Sequence, residues 1–429
     1  MHQFHYQNNS LYCEKVSLTK LATEHGTPLY VYSATTIREN FRRLDKALGE
    51  LDRMVCFAMK ANSNLSVINL LAKEGSGFDI VSGGELFRVL KAGGRADRCT
   101  FAGVGKTEDE IAYALREGIY CFNVESEAEL ETLNRIAGSL GIKAPIAVRV
   151  NPNVDAQTHK YISTGKSHNK FGVGIDRAEE VYAVAAALPH LKIKGVQTHI
   201  GSQILQSTPF AEALGKLSPL VEKLKATYNI EFFSFGGGLG IVYKEALASG
   251  DPAWWLAPGK ERITPEEYAQ TIVPTLKKLG LRILFEPGRF LVGNAGVLLN
   301  KVLYVKQTPA KHFVVVDGAM NDLIRPALYE GWHEIVPLTQ PAPGTQTAPV
   351  DIVGPVCESG DFFAQDRELP PLKAGDLIAL MSAGAYGFVM SSTYNSRPLL
   401  AEILVDGDKA LVARARQPLE EIIRGEHLP

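Results

Sequence analysis

The chain has 429 residues, more than one hydrophobic core usually serves, so two domains are expected. Hydrophobic residues make up 45% and charged residues 21%, with a net charge of -2, so no basic field invites nucleic acid or an anionic membrane. No apolar run reaches the roughly 18 residues of a membrane span, and the opening MHQFHYQNNSLYCEK lacks the basic-then-apolar pattern of a secretory signal. Cys13, Cys56, Cys99, Cys121 and Cys357 are odd in number and without close pairs, which argues against a disulfide framework and against a CxxC metal site. No metal is expected, and a reducing cytoplasm fits.

Thr27–Tyr32 is a short aromatic and β-branched run that reads as a strand, and Thr36–Leu51 reads as a helix. A regular alternation then begins. Candidate strands are Met54–Met59, Gly77–Val81, Arg98–Ala102, Tyr120–Val124, Pro145–Val150, Lys192–His199, Glu231–Gly236 and Arg282–Glu286. Between them lie helical stretches at Leu65–Glu74, Gly84–Ala92, Thr107–Glu117, Glu125–Gly138, Ala178–Leu188, Pro209–Ala226 and Pro265–Leu279. Thr107 precedes Glu110 at capping-box spacing, Thr264 leads Pro265 and Glu267, and Asn123 or Ser126 caps the helix between them. Gly93, Gly118, Gly141 and Gly280 stand where helices should stop. Strands alternating with helices predict a parallel sheet with right-handed crossovers. Eight such units favour a closed (β/α)8 barrel over an open doubly wound sheet, because no strand–loop–helix carries a full dinucleotide fingerprint. After Gly288 the crossover helices cease. Asn294–Val305, Lys311–Val316, Asp376–Met381 and Leu399–Asp406 read as strands, with Thr339–Val350 rich in proline and turn residues. The second domain is therefore mostly β, and the early strand Leu29–Tyr32 can join it, which would make it discontinuous.

Chemistry in a barrel lies at the C-terminal ends of the strands, and polar residues collect there. Lys60 follows the first strand, Asp79 lies in the second with Ser82-Gly83-Gly84 after it, and Asn151 and Asn153 follow the fifth. His199 ends the sixth, before Gly201-Ser202; Gly236–Gly240 ends the seventh; Glu286-Pro287-Gly288-Arg289 ends the eighth. Each taken alone has a bland reading: a surface lysine, a hydrogen-bonded structural histidine, a tight loop. Six strand ends polar in this way read as a site. A glycine run lets the backbone approach a ligand, and successive N–H groups can enclose a phosphate. Gly165-Lys166-Ser167 resembles the end of a P-loop, but Lys160 occupies the position of the required first glycine, which excludes it. A lysine at one strand end and a phosphate cradle at another suggest a phosphate-bearing aldehyde cofactor, pyridoxal phosphate, with Glu286 opposite its ring nitrogen. A Schiff-base aldolase is equally compatible with the bare spacing. In the second domain, Cys357-Glu358-Ser359-Gly360-Asp361 and Gly384-Ala385-Tyr386-Gly387 cluster polar residues around a thiol that could donate a proton to a carbanion.

FAMKAN (57–62), FDIVSGGE (78–85), HKYISTGKSHNKFG (159–172), THIGSQ (198–203), FGGGLG (235–240), EPGR (286–289), CESGD (357–361) and GAYG (384–387) together resemble the diaminopimelate decarboxylase family. That family stands within the wider group of pyridoxal-phosphate enzymes that includes alanine racemase and the barrel-type ornithine and arginine decarboxylases. The resemblance implies a pyridoxal 5'-phosphate-binding (β/α)8 barrel over 34–292 and a β domain built from 1–33 and 293–429. It implies decarboxylation of meso-2,6-diaminoheptanedioate at its D centre to L-lysine and CO2, through an external aldimine formed as the substrate amine displaces Lys60. It implies catalytic roles for Lys60, His199 and Cys357, and cofactor contacts from Asp79, Ser202, Gly237, Gly238, Glu286, Gly288, Arg289 and Tyr386. Arg289, Arg325, Tyr329, Glu358 and Tyr386 match substrate-binding positions. Cys357 and Glu358 are expected to come from the other subunit of a homodimer. The distal carboxylate of such a substrate needs arginines, which Arg289 and Arg325 supply; a site for ornithine would need a carboxylate there.

Overall fold

The computed structural model describes residues 1–155 and 170–429. The P-loop-like Gly165-Lys166-Ser167, and most of the 159–172 motif, lie outside the described residues. The chain divides into two units, Asn40–Ile241 with Glu261–Leu291, and Met1–Glu39 with Val242–Lys260 and Val292–Pro429.

Among the described residues of the first unit, the barrel is formed by the parallel strands Arg53–Ala58, Gly77–Ile80, Cys99–Phe101, Cys121–Val124, Ala144–Asn151, Leu191–Gln197, Phe232–Ser234 and Arg282–Phe285. Each pairs with the next, and Ile283–Phe285 pairs with Arg53–Val55, so the sheet closes into a barrel. Most of these strand residues are buried, because one face lines the barrel and the other meets the helices. A two-residue strand, Val173–Gly174, also pairs with the fifth barrel strand and was not expected.

Helix ends follow local chemistry. Thr107 and Thr264 each accept from the N–H of the glutamate three residues on, and Glu110 and Glu267 accept the cap N–H in return. Ser126, not Asn123, caps Glu127–Ser139; Asn123 is buried in the fourth strand. Gly118 and Gly280 close their helices in the left-handed conformation.

The second unit is built on the twelve-residue strand Gly296–Gln307. Its first half pairs with Leu29–Ser33 on one side and Leu377–Leu380 on the other; its second half pairs with His312–Val316. Leu29–Ser33 also pairs in parallel with Ala401–Asp406, so the early strand is an interior member of this sheet. The sequence reading missed Ala348–Val353 and Phe362–Leu369, which extend the sheet beyond His312–Val316, and the amino-terminal meander Phe4–Gln7, Ser10–Cys13 and Val16–Ser17. Phe4, Leu11, Leu21, Leu29, Val31, Val297, Leu299 and Ile403 form one buried cluster. No helix among the described residues is long and apolar enough to cross a membrane.

Candidate active site

The first barrel strand ends at Ala58, and a single 3-10 turn, Met59–Ala61, carries Lys60 before Asn64 caps the next helix. Lys60 Nζ lies 2.7 Å from Asp79 Oδ2 on the neighbouring strand. Asp79 is 1% exposed, and its other oxygen has no hydrogen-bond partner among the described residues. A buried carboxylate is tolerable only when paired, so the ion pair holds both groups in place.

Glu286 follows the last strand and is buried. It accepts from Ser234 Oγ at 2.8 Å, from Gln197 Nε2 at 2.9 Å and from Asn123 Nδ2 at 3.3 Å, donors on three other strands. Burial, and then the negative charge of Asp79, push its carboxyl up to about 7, against the opposing pull of its donors and Lys60. Glu85, which accepts from the Val81 N–H at 2.7 Å, is also pushed up to about 7, chiefly by burial.

His199 stands two residues beyond the sixth strand, which ends at Gln197, where the sequence placed the histidine at the strand end itself. Its Nδ1 accepts from the Gly237 N–H at 3.2 Å, which assigns the ring proton to Nε2. Burial, with the positive charges of Arg149 and Lys60, holds this imidazole well below its usual pKa, so it is neutral. Arg149 itself pairs with Glu125 at 3.0 Å.

The loops after strands six, seven and eight are knit by backbone. The Glu286 N–H donates to Gly236 O at 2.8 Å, and the Ile204 N–H donates to Gly238 O at 2.9 Å. A Cβ on Gly237 would stand 2.3 Å from Glu286 O; on Gly238, at φ +112°, it would stand 2.8 Å from Gly201 O. Only glycine lets these three loops meet. Beyond Gly288, Arg289 opens the short helix Arg289–Val292 and donates to Ser202 Oγ from Nη2 at 3.0 Å.

The second unit holds the remaining sequence-predicted residues. Tyr386 has a positive φ in the Gly384–Gly387 turn. Arg325 and Tyr329 open and close one five-residue helix. Arg325 Nη1 lies 2.7 Å from His333 Nε2, and its guanidinium covers the Tyr243 ring at 4.5 Å. Cys357 and Glu358 share an exposed turn in which the Cys357 N–H donates to Asn395 Oδ1 at 3.2 Å. Cys357 is exposed, whereas Cys13, Cys56, Cys99 and Cys121 are buried, and all five are free thiols.

Asn123, Gln197 and Ser234 escaped sequence reading, as did Arg149 and His333. A polar residue interrupting an apolar strand, as in CFNV or KGVQ, was the available signal for the first two.

A family model described as the pyridoxal-dependent decarboxylase pyridoxal binding domain matches residues 34–293. The chain is 49% identical to diaminopimelate decarboxylase of Vibrio cholerae, covering 98% of each. It is also 49% identical to that of Pseudomonas aeruginosa, covering 100% of this chain and 99% of the relative. Among solved structures, diaminopimelate decarboxylase from M. jannaschii in complex with L-lysine aligns at a TM-score of 0.91 and 35% identity, covering 100% of this chain and 98% of the other. The Helicobacter pylori diaminopimelate decarboxylase complexed with L-lysine aligns at 0.87 and 44%, covering 95% and 98%. An amine beside a carboxylate, a neutral imidazole, a glycine-lined backbone and a buried carboxyl with three donors are the groups that a pyridoxal phosphate requires. The chain belongs to the pyridoxal-dependent decarboxylases, in the diaminopimelate decarboxylase family.

Proposed function

We propose that this protein removes CO2 from the D centre of meso-2,6-diaminoheptanedioate to give L-lysine, using pyridoxal 5'-phosphate. The observation that carries this reading is the Lys60–Asp79 pair set at the strand ends with buried Glu286, in a chain similar along its whole length to decarboxylases of that substrate. When bound, the cofactor supplies an aldehyde that holds the substrate's amine and a ring that takes up the electron pair left by departing CO2.

The protein's residues then divide the work. Lys60 would hold the cofactor's aldehyde carbon, with Asp79 orienting its amine. Glu286 faces the ring nitrogen and keeps a proton on it, held by Ser234, Gln197 and Asn123. The Gly238, Gly288 and Arg289 backbone N–H groups hold the phosphate beside Ser202 and Gly237, whose own N–H is given to His199, and Tyr386 also touches the cofactor. His199 lies against the ring, where a neutral imidazole adds no competing charge. Arg289, Arg325 and Tyr329 hold the distal carboxylate, Glu358 meets the distal ammonium, and Tyr386 also contacts the substrate. The Cys357 thiol returns a proton to the carbon that lost CO2. Cys357 and Glu358 are supplied across the interface of a homodimer, in keeping with the exposure of both in the single chain. Residues 34–292 act as the cofactor barrel, and 1–33 with 293–429 as the second domain. Free thiols throughout suit the reducing cytoplasm, and neither nucleic acid nor membrane takes part.

The test is CO2 release by the cofactor-loaded protein offered meso-diaminopimelate, L-ornithine, L-arginine and L-lysine in parallel, with the cofactor's absorbance followed in the same samples. Turnover of meso-diaminopimelate alone is expected. Turnover of ornithine or arginine instead would keep the fold and overturn the reading of Arg289 and Arg325.

A further inference from the structure

We propose that His333 is a positioning residue for substrate selection: a neutral imidazole that aims Arg325 without cancelling its charge. The inference rests on the reading of Arg325 as a holder of the distal carboxylate. His333 is fully buried, and both of its ring nitrogens are engaged: Nδ1 lies 2.8 Å from Met381 O, and Nε2 lies 2.7 Å from Arg325 Nη1. A carbonyl can only accept and a guanidinium can only donate. So Nδ1 carries the proton, Nε2 presents its lone pair to Arg325, and the ring is neutral.

The residues around His333 hold it still. The Gly331 N–H donates to Arg325 O at 3.1 Å, turning the chain back beside the helix that carries the arginine. Arg367 Nη1 donates to His333 O at 2.6 Å while its guanidinium covers the Trp332 ring at 3.4 Å. Tyr243 meets the imidazole edge-on at 5.3 Å and lies under the Arg325 guanidinium at 4.5 Å. One N–H and one face of Arg325 are thus taken by uncharged groups. A carboxylate in the place of His333 would orient the arginine equally well but would supply the negative charge that a substrate carboxylate is meant to bring. An imidazole lone pair orients without bringing a negative charge of its own, as an outer partner orients a metal-binding side chain.

The two nitrogens have separate mimics. His333→Asn keeps a donor near Met381 O and loses the acceptor for Arg325; His333→Gln restores an acceptor near the Nε2 position. The experiment measures KM and kcat for meso-diaminopimelate on the full-length, cofactor-loaded enzyme. It also measures competitive inhibition by L-lysine, which retains the distal carboxylate, and by 1,5-diaminopentane, which has none. The expected result for His333→Asn is a roughly tenfold rise in KM and a parallel weakening of L-lysine. The kcat changes less, diaminopentane inhibition stays the same, and His333→Gln recovers most of the loss. KM and the ratio of the two inhibition constants do not depend on the folded fraction of a preparation. Equal weakening of both inhibitors, no change in either, or a Gln variant no better than Asn overturns the proposal. Arg325→Ala separates the two layers. If it leaves KM unchanged, the reading of Arg325 falls; if it raises KM while His333→Asn does not, only the role of His333 falls.

Discussion

Glu286 is a carboxyl whose surroundings pull in two directions. Burial and Asp79 favour its proton, while Ser234, Gln197 and Lys60 favour its charge, and the former prevail. In the folded chain it titrates near 7, against an ordinary value of 4.5. Between those values the folded protein holds a proton that the unfolded chain has released, so this residue's contribution to stability falls as pH rises through the window and is flat above it. Glu286→Gln cannot titrate. In thermal unfolding of the cofactor-free protein, the variant should therefore gain on the parent between about pH 5 and about pH 7.5. A difference in Tm that does not move with pH would mean that Glu286 titrates normally. Lys60 and Glu286 were legible as candidates because each follows an apolar run that stops abruptly, and His199 because it stands just before Gly201-Ser202 at the close of a strand-like stretch. Asn123, Gln197 and Ser234 were not, since a lone polar residue inside a strand carries no mark of its partner. Only closure of the barrel turns three separate strands toward one carboxyl.

The elements that hold the site are loops, and their glycines are testable one at a time. Gly238→Ala places a Cβ against Gly201 O at a backbone angle that side chains avoid. It should weaken pyridoxal phosphate binding roughly tenfold or more, from strain on the order of 1–3 kcal/mol at the meeting of two loops. Gly75→Ala is the control: it has a positive φ of 86° but nothing within 4 Å of the added carbon. It should lower Tm and leave cofactor titration unchanged; equal loss of affinity in both variants would mean that strain alone, and not loop approach, is at work. Both capping boxes and the eight barrel strands could be read from local residue types. The amino-terminal hairpin could have been, because Asn8 and Asn9 both adopt positive φ in a two-residue turn between Gln7 and Ser10, and paired asparagines between alternating residues signal such a turn. Ala348–Val353 was obscured by Pro349 at its second position and by Pro341 and Pro343 before it, which make the start of the strand read as a turn. His199 misses the sixth strand because the ladder thins rather than stops: the Thr198 N–H still reaches Ser234 O at 2.9 Å.

For the whole molecule, the sharpest question is whether one chain suffices. Lys60 and Cys357 belong to different units of the chain. If Cys357 acts on the partner's substrate, Lys60→Ala and Cys357→Ala proteins, each inactive alone, should regain about a quarter of parental activity when refolded together, because half the dimers are mixed and each mixed dimer has one intact site. No recovery would place the thiol in its own subunit's chemistry. That the second domain gathers both chain ends was legible from Leu29–Tyr32, but the extent of its sheet was not, since partners hundreds of residues apart leave no local periodicity. That same strand has a consequence for how the protein is made. Leu29–Ser33 is buried at all five positions, between residues 296–299 and 401–405. At about 5–20 residues per second on the ribosome, it leaves the exit tunnel tens of seconds before either neighbour exists. Throughout that interval an apolar β-segment stands without its sheet while the barrel assembles behind it, which makes it the natural place for a chaperone to bind the nascent chain.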